Sequence, residues 1–249
     1  MTRGAHQSDM ALPFLKIGTC GFPLARSEYY KLFSVVEVQQ TFYQPPTLKT
    51  ALHWREEAPL GFEFSVKAWQ LITHEPTSST YRRLRRPIPS TQRSLYGSFR
   101  PTDEVSEAWA VTDEIARALR ARAVLFQSPS SFHFTEVNET NLRSFFRRMD
   151  RRDYLLVWEV RGDWPEQKIE DICRELDLVH GVDPFQTRQV CGAIRYFHLH
   201  GKGGHRYRYT DQDLVWLKDQ IDPEVITYLM FNNGSMVQDA QRLKRFIYE

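Results

Sequence analysis

The stretch Val35-Val-Glu-Val-Gln-Gln-Thr-Phe-Tyr43 alternates apolar and polar side chains, the pattern of a β-strand with one buried face and one polar face. The same alternation recurs in Phe62-Glu-Phe-Ser-Val-Lys-Ala68, in residues 156–161 and in residues 197–200. Helical patterns separate these runs, and strands that alternate with helices build a parallel sheet. A chain of 249 residues is close to the usual length of one barrel of eight strands and eight helices. We therefore expect an α/β fold with a single (β/α)8 TIM-type barrel.

The remaining segments complete this alternation. Further strands are expected at 17–22, 123–127, 176–183 and 226–233, and helices at 24–33, 48–58, 104–122, 141–149, 165–176, 211–221 and 236–248. Thr210 and Asp213 have the spacing of a helix capping box. Residues 75–103 predict a long insertion between the third and fourth strands, and 184–192 are too short for more than a reduced helix after strand six. We expect residues 1–13 to be a flexible N-terminal tail and 14–249 to be one barrel domain.

Composition excludes several classes of protein. Hydrophobic residues make up 41% and charged residues 26%, which is typical of a globular protein and not of a disordered one. No apolar stretch could span a membrane and the first residues do not resemble a secretory signal, so we expect a cytoplasmic protein without membrane contact. The 33 Lys and Arg barely exceed the 31 Asp and Glu, which disfavours a DNA-coating protein. Cys20, Cys173 and Cys191 have no disulfide or zinc-site spacing and are expected to be buried small side chains.

Polar and charged side chains concentrate at the downstream ends of the expected strands, where parallel barrels place their active sites. In the strands with alternating faces, the covering helices take the apolar face, so the polar face points into the barrel. Charged groups buried there need partners, and Glu37, Glu63 and Glu159 would be matched by Lys67, Arg161 or histidines. Carboxylates and histidines in one pocket are suited to proton transfer. The candidate catalytic residues are Glu37, Lys67, Glu159, Arg161, His198 and His200.

Other polar residues at this rim are expected to bind the substrate. The glycine-rich loop 201–208 follows the seventh strand, a common position for phosphate binding in barrels, and its basic side chains would grip an anionic group. The candidate binding residues are Thr41, Tyr43, His74, Gln127, Asp183, Gly201, Lys202, Arg206, Arg208, Asn232 and Asn233.

Two alternatives compete with acid–base catalysis. His198 and His200 lie on one strand face and, with a carboxylate or His180, could hold a divalent metal, although Lys67 and Arg161 oppose a cation there. No cofactor is predicted, and a divalent metal remains the alternative. The second alternative is nucleic-acid binding by the arginine-rich run 82–86 and the aromatic and basic residues around it, Tyr81, Arg93, Tyr96 and Arg100.

Several of these runs, taken in order, resemble the DUF72 family, also called YecE-like proteins. Val36-Glu-Val-Gln-Gln-Thr-Phe-Tyr43 is similar to its Val-Glu-Ile-Asn-Ser-Thr-Phe-Tyr signature. The other matching runs are Ile17-Gly-Thr-Cys-Gly-Phe22, Phe64-Ser-Val-Lys-Ala68, Leu125-Phe-Gln-Ser-Pro-Ser-Ser-Phe132, Trp158-Glu-Val-Arg161, Leu199-His-Gly201 and the run from Tyr228 to Asn233. The resemblance covers residues 15–248 and implies a TIM-type barrel without an established reaction. Gln39 and Gln40 replace the usual Asn-Ser of the signature, and His198 replaces a common Arg.

These observations favour an enzyme that uses acid–base chemistry on a small polar or phosphorylated substrate, with hydrolase, lyase and isomerase all open. Glu159 or Glu37 would move a proton with help from His198 and His200, while Lys67 and Arg161 would stabilise negative charge. The alternatives are a metal-dependent nuclease or phosphoesterase, and a noncatalytic module that binds nucleic acid or another partner. The oligomeric state is open.

Overall fold

Eight parallel strands form the centre of the protein. The computed structural model describes residues 14–248, so the expected tail at 1–13 lies outside the described residues. The strands pair in the order β6-β5-β4-β3-β2-β1-β8-β7. Val182 joins the two ends, because its amide donates to Tyr196 O and its carbonyl accepts from His198 N. The strands are β1 (Leu15–Cys20), β2 (Val35–Val38), β3 (Glu63–Lys67), β4 (Ala123–Gln127), β5 (Leu155–Glu159), β6 (Val179–Gly181), β7 (Arg195–Leu199) and β8 (Thr227–Phe231).

Helices connect the strands and confirm the (β/α)8 barrel. Within residues 14–248 they are α1 (Arg26–Leu32), α2 (Gln40–Tyr43), α3 (Leu48–Glu57), α4 (Gln70–Thr73), α5 (Asp103–Leu119), α6 (Glu136–Arg148), α7 (Glu166–Glu175), α8 (Asp211–Asp219) and α9 (Met236–Tyr248). The long β3-to-β4 insertion contains the 3₁₀ helices Ser79–Arg83 and Ser90–Leu95, and in the described chain no helix lies between β6 and β7. None of the described helices combines the length and the apolar character needed to cross a bilayer.

Alternation along the strands divides the hydrophobic side chains into two cores. One core lies inside the barrel and consists of Cys20, Val35, Ala123, Leu125, Val157, Val179, Ile194, Tyr196, Tyr228 and Met230. The larger core lies between the barrel wall and the helices and contains the neighbouring strand residues, such as Val36, Phe64 and Trp158. Because neighbours along a strand point to opposite faces, the polar residues in register with the inner core also point inward. The predicted inward polar face is therefore confirmed.

Three elements differ most from their predicted bounds. The strand expected over 35–43 ends at Val38, since Gln39 has helical dihedral angles and α2 follows. Thr41 stabilises this turn by donating to the carbonyl oxygens of Val38 and Lys67, both at 2.6 Å. Helix α6 begins at Glu136, five residues earlier than expected, because Thr135 caps it. The strand expected over 176–183 is reduced to β6 and the single bridge at Val182.

An ion pair closes the lower end of the barrel, which is the end where the strands begin. The upper end is the end where the strands finish. Lys16 Nζ lies 2.8 Å from a carboxylate oxygen of Glu63, and Tyr228 OH donates to the same carboxylate at 2.6 Å. The expectation that Glu63 pairs with Lys67, Arg161 or a histidine is wrong. Glu63 begins its strand and Lys67 ends it, so the two side chains lie at opposite ends of the barrel. Inward groups that remain for a ligand lie at the upper end.

The inner core predicts a large difference between two otherwise identical substitutions. Leu125→Ala removes a fully buried side chain from inside the barrel and should lower the free energy of unfolding by about 2–5 kcal/mol. Leu60→Ala removes a fully exposed side chain and should change it by less than about 0.5 kcal/mol. Urea unfolding followed by circular dichroism measures both. Equal losses in the two variants would contradict the position of Leu125 inside the barrel.

Candidate functional site

His198 lies at the centre of the polar cluster, at the upper end of the barrel. It is fully buried on β7 and lies between two buried carboxylates on β2 and β5. Its Nδ1 lies 2.6 Å from Glu159 Oε2, and its Nε2 lies 3.5 Å from Glu37 Oε1. Strands β2 and β5 are separated by β3 and β4 in the sheet, so the barrel brings side chains together here that no single strand pair could join.

The two carboxylates determine the charge of His198. Burial by itself would lower the pKa of the imidazole, but the negative charges of Glu37 and Glu159 outweigh burial and raise it. Burial would likewise raise the pKa of Glu159, but His198 and His200 outweigh it and hold that pKa well below its usual range. The stable arrangement is therefore an imidazolium paired with ionised carboxylate.

His200 is the more accessible of the two histidines and remains neutral. Its Nε2 lies 3.0 Å from Glu159 Oε1, and its Nδ1 lies 3.4 Å from the side-chain amide nitrogen of Asn232. Burial and then the positive His198 lower the pKa of His200. Since the carboxylate accepts a hydrogen bond, Nε2 carries the proton and Nδ1 carries the lone pair. This geometry orients a neutral base toward the partly exposed Asn232.

Lys67 is a buried amine without a carboxylate partner. Its Nζ donates to Gln127 Oε1 at 2.8 Å and lies 4.4 Å from the centre of the Phe42 ring. Among residues 14–248 it forms no ion pair, although it is only 5% exposed. Burial lowers the pKa of Lys67, and the more distant Glu159 and Glu37 only oppose that effect. Arg161, in contrast, is exposed and pairs with Glu159 at 3.1 Å.

Glu37 is held by groups that leave it little contact with solvent. Tyr196 OH donates to Glu37 Oε2 at 2.5 Å and lies 2.7 Å from Ser65 Oγ. The Gln39 amide donates to the other carboxylate oxygen. Glu37 is fully buried, so it anchors the inner wall and stabilises the charge on His198.

Three predicted binding residues lie on the α2 and α4 side of the rim. Thr41 is buried and bonded to backbone, and Tyr43 is half-buried beneath the guanidinium of Arg83 at 4.0 Å. His74 contacts the edge of the Phe42 ring and pairs with Thr73 Oγ1 at 2.8 Å. Burial, followed by the charge of Lys67, lowers the pKa of His74 to about 3. These residues support the wall beside Lys67.

On the opposite side of the rim, more of the polar side chains are hydrogen-bonded to other groups of the protein. Asp183 accepts from the amides of Phe185 and His200 at 3.1 and 3.0 Å, which fixes the backbone around His200. Asn233 is fully buried and donates to Tyr207 O and to Asp239. Both residues hold the site in place, whereas Asn232 and Gln127 remain partly exposed to a ligand.

The loop expected to grip an anion is partly satisfied by its own contacts. The amide of Gly201 donates to Tyr209 OH at 2.8 Å, and Lys202 pairs with Asp213. Arg206 and Arg208 are exposed and form no ion pair within the described chain. Gly201 has φ 87°, and an added Cβ would lie 2.6 Å from Gly204 O. The predicted binding of an anion at this loop therefore depends on Arg206 and Arg208.

Two groups of possible metal ligands share His198. One consists of Cys20, Glu37 and His198, and the other of Glu159, His198 and His200, with the donor atoms of each group within 4.8 Å of one another. His180, considered above as a further ligand, faces away from the cluster and accepts from the amide of Val190 at 3.3 Å. Burial lowers the pKa of His180 to about 4.

Sequence reasoning overlooked Cys20, Tyr196 and Gln39. Cys20 Sγ lies 3.0 Å from His198 Nε2, so it belongs to the cluster and is more than a small core residue. Burial, followed by Glu37, raises the pKa of the Cys20 thiol well above its ordinary value, which makes it a poor nucleophile. The available signal for Tyr196 was its spacing, because it lies two residues before His198 on the same strand face.

The charge assignment predicts that His198 differs in protonation state from His74 and His180. At about pH 6, an ordinary histidine is mostly protonated. We expect His198 to be doubly protonated at about pH 6 because Glu37 and Glu159 raise its pKa, whereas His74 and His180 should still be neutral at that pH because burial lowers their pKa values to about 3 and about 4. ¹⁵N NMR of the imidazole nitrogens measures this, with His74→Gln and His180→Gln as assignment controls. A neutral His198 at about pH 6 would refute the assignment.

Comparison with known proteins supports the fold and the family. A DUF72 family protein from Enterococcus faecalis V583 superimposes with a TM-score of 0.68 at 20% identity, covering 94% of this chain and 97% of that one. A DUF72 family protein from Thermotoga maritima MSB8 has the same TM-score and identity, with coverages of 94% and 99%. A xylose isomerase domain containing protein from Salmonella typhimurium LT2 has a TM-score of 0.59 at 12% identity, with coverages of 95% and 96%.

At these identities, the likeness to solved structures concerns the fold. The search among curated proteins found no match. The family described as "Protein of unknown function DUF72" matches residues 24–248, almost the whole barrel and all of the cluster except Cys20. The chain therefore belongs to the DUF72 family.

Proposed function

We propose that this barrel is an enzyme that performs acid–base chemistry on a small polar or phosphorylated substrate at its upper end. The observation that carries the proposal is that the buried amine of Lys67, which forms no ion pair with any residue between 14 and 248, faces the same end of the barrel as the neutral base His200 and its carboxylate Glu159. Hydrolysis, elimination and isomerisation all need such a base together with a group that stabilises negative charge.

The amine of Lys67 is suited to a substrate oxygen that carries negative charge. Removing an ammonium group from water costs several kcal/mol unless an anion compensates it, and Gln127 offers only a neutral oxygen. A phosphate, carboxylate or enolate oxygen placed beside Nζ would supply that compensation. Arg161, exposed at the same end, would provide the second positive charge. The substrate class inferred from these charges is a small anion.

The proton is moved by His200 in this proposal. Glu159 fixes the Nε2–H tautomer of His200 and stabilises the imidazolium that forms when Nδ1 accepts a proton. Glu159 itself is a weak base because its pKa is held well below the usual range by the histidines. Glu37 is buried deeper and contributes through the charge of His198. The sequence suggested that Glu159 moves the proton and His200 assists. In this proposal, His200 moves the proton and Glu159 assists.

A metal-dependent phosphoesterase is the second candidate, and the ligand group Glu159, His198 and His200 favours it. These residue types bind zinc and similar divalent ions. A metal would have to displace the proton on His198, which both carboxylates stabilise, and it would stand in a cavity that already contains Lys67 and Arg161. The acid–base proposal therefore ranks first.

Anion binding at Lys67 should depend on pH in a defined direction. Sulfate is a suitable probe because its charge is constant above neutral pH. Since burial lowers the pKa of Lys67, affinity for sulfate should be lost as pH rises through that lowered pKa, before an ordinary lysine titrates at about 10.4.

Lys67→Met should reduce sulfate affinity by about tenfold or more, equivalent to about 1.4 kcal/mol, as measured by isothermal titration calorimetry. Lys49→Met, at an exposed position on α3, is the matched control and should bind sulfate as the unaltered protein does. Equal affinities for the Lys67 and Lys49 variants would exclude Lys67 as the anion-binding group.

Turnover should depend on His200. We expect incubation of the protein with a mixture of small phosphorylated and carboxylated metabolites to deplete at least one of them, as detected by mass spectrometry. His200→Gln should slow this conversion by about 10²–10⁴-fold, the usual contribution of a general base. His53→Gln, which changes an exposed histidine on α3, should leave the rate unaltered.

The same assay separates the two candidates. Conversion that continues in EDTA supports acid–base catalysis, whereas conversion that stops in EDTA and returns with zinc or manganese supports the metal-dependent one. A conversion that His200→Gln does not slow would remove His200 from the mechanism.

A further inference from the structure

The insertion between β3 and β4 contains a segment with an extreme charge. Residues 76–102, here named the arginine segment, contain six arginines and no Asp, Glu or Lys. The rest of the chain retains 27 of the 33 basic side chains against all 31 acidic ones, so outside this segment the protein is net acidic. The almost neutral total charge therefore conceals one concentrated basic region.

Five of the six positive charges of the arginine segment are exposed and have no ion-pair partner within residues 14–248. Arg100 pairs with Glu75 at 2.7 Å. The other five arginines are exposed and form no ion pair with any residue between 14 and 248; they are Arg82, Arg83, Arg85, Arg86 and Arg93. Surface arginines elsewhere in this protein frequently pair, as Arg174 does with Glu170 and Arg188 with Glu166. An ordinary solvated surface would be expected to mix the two signs.

The barrel holds the arginine segment in a fixed position beside the candidate site. Tyr81 OH donates to His74 O at 2.7 Å, and the amide of Arg85 donates to Gln44 Oε1 at 3.0 Å. Near the end of the segment, Phe99 is fully buried and its amide donates to Ile72 O at 2.9 Å. The charges are therefore displayed next to α2 and α4, the elements that surround Lys67.

Two tyrosines, Tyr43 and Tyr81, lie beside the arginines of this surface. The guanidinium of Arg83 lies over the ring of Tyr43, on α2, and Tyr81 is half-buried behind Arg82. A cavity of about 310 Å³ opens between Tyr81, Arg82, Ile88 and Arg93. Guanidinium groups can contact phosphates and also stack on bases, and a cavity lined by two arginines together with tyrosine, proline and isoleucine side chains fits an unstacked nucleotide.

We propose that the arginine segment binds single-stranded nucleic acid and leads it past α2 toward the upper end of the barrel. A single strand is favoured over a duplex because the helices of the segment are 3₁₀ turns of five and six residues, too short to fill a major groove. A membrane surface is disfavoured because no large exposed hydrophobic side chain lies in the segment. The inference is independent of the acid–base proposal, since it involves none of its residues.

The test uses the unaltered protein and fluorescein-labelled nucleic acids of about 20 nucleotides. These are a single-stranded RNA made of uridines, a single-stranded DNA made of thymidines and a duplex of mixed sequence. Fluorescence anisotropy at increasing NaCl concentrations should show tighter binding to a single strand than to the duplex. If all five free arginines contact phosphates, the logarithm of the affinity should fall with the logarithm of the salt concentration with a slope of about −3.5. RNA and DNA arms identify the preferred strand.

Two variants with equal net charge separate a defined site from general attraction. Changing the five free arginines of the segment to Gln should reduce affinity by about tenfold or more and flatten the salt dependence. The control changes five exposed arginines outside the segment to Gln, namely Arg147, Arg148, Arg152, Arg174 and Arg188, and should retain most of the affinity. Circular dichroism checks that both variants are folded.

Three outcomes would overturn the proposal. The first is equal loss of binding in the two variants, and the second is preference for the duplex. The third is binding to phosphatidylserine vesicles without binding to any strand. Loss of nucleic-acid binding alone would leave sulfate binding at Lys67 intact, so failure of this proposal is distinguishable from failure of the proposed enzyme function.

Discussion

The ion pair between the buried imidazolium of His198 and the carboxylates of Glu37 and Glu159 is the interaction on which the upper half of the barrel depends. Each carboxylate would cost several kcal/mol to bury without a positive partner. His198 contacts Glu159 directly and lies 3.5 Å from Glu37, and Tyr196 and Gln39 supply further hydrogen bonds to Glu37. Because the three side chains come from β2, β5 and β7, this one arrangement links strands that do not pair with each other.

That ion pair also distinguishes charged groups that stabilise the barrel from groups that could contact a substrate. His198 and Glu37 compensate each other deep in the barrel, so they are poor candidates for direct contact with a substrate. His200 and Lys67 lie at its edge, one a neutral base and the other an amine without a carboxylate. At the lower end, Lys16 and Glu63 pair with each other and close the barrel. The two ends of the barrel therefore differ because incompletely paired groups lie at the upper end.

Much of this arrangement could be predicted from the alternation of side chains along the strands. Residues two apart on one strand share a face, so Glu159 with Arg161, and His198 with His200, were correctly expected on the inner face. The same spacing could have identified Tyr196. It failed at Glu63, because parity gives the face of a strand and not the depth within the barrel. It also failed after Val38, where the alternating pattern continues although the backbone turns into α2 under the hydrogen bonds of Thr41.

The sequence by itself determined the barrel class, the inward face of each long strand and the concentration of arginines in one insertion. These features depend on local periodicity and composition, which are properties of neighbouring residues. Only the tertiary structure decided that Lys67 lacks a carboxylate, that Cys20 contacts His198 and that Glu159 bridges two histidines. Those contacts join residues up to 178 positions apart, and their distances follow from strand order, stagger and barrel closure, none of which is encoded in a local pattern.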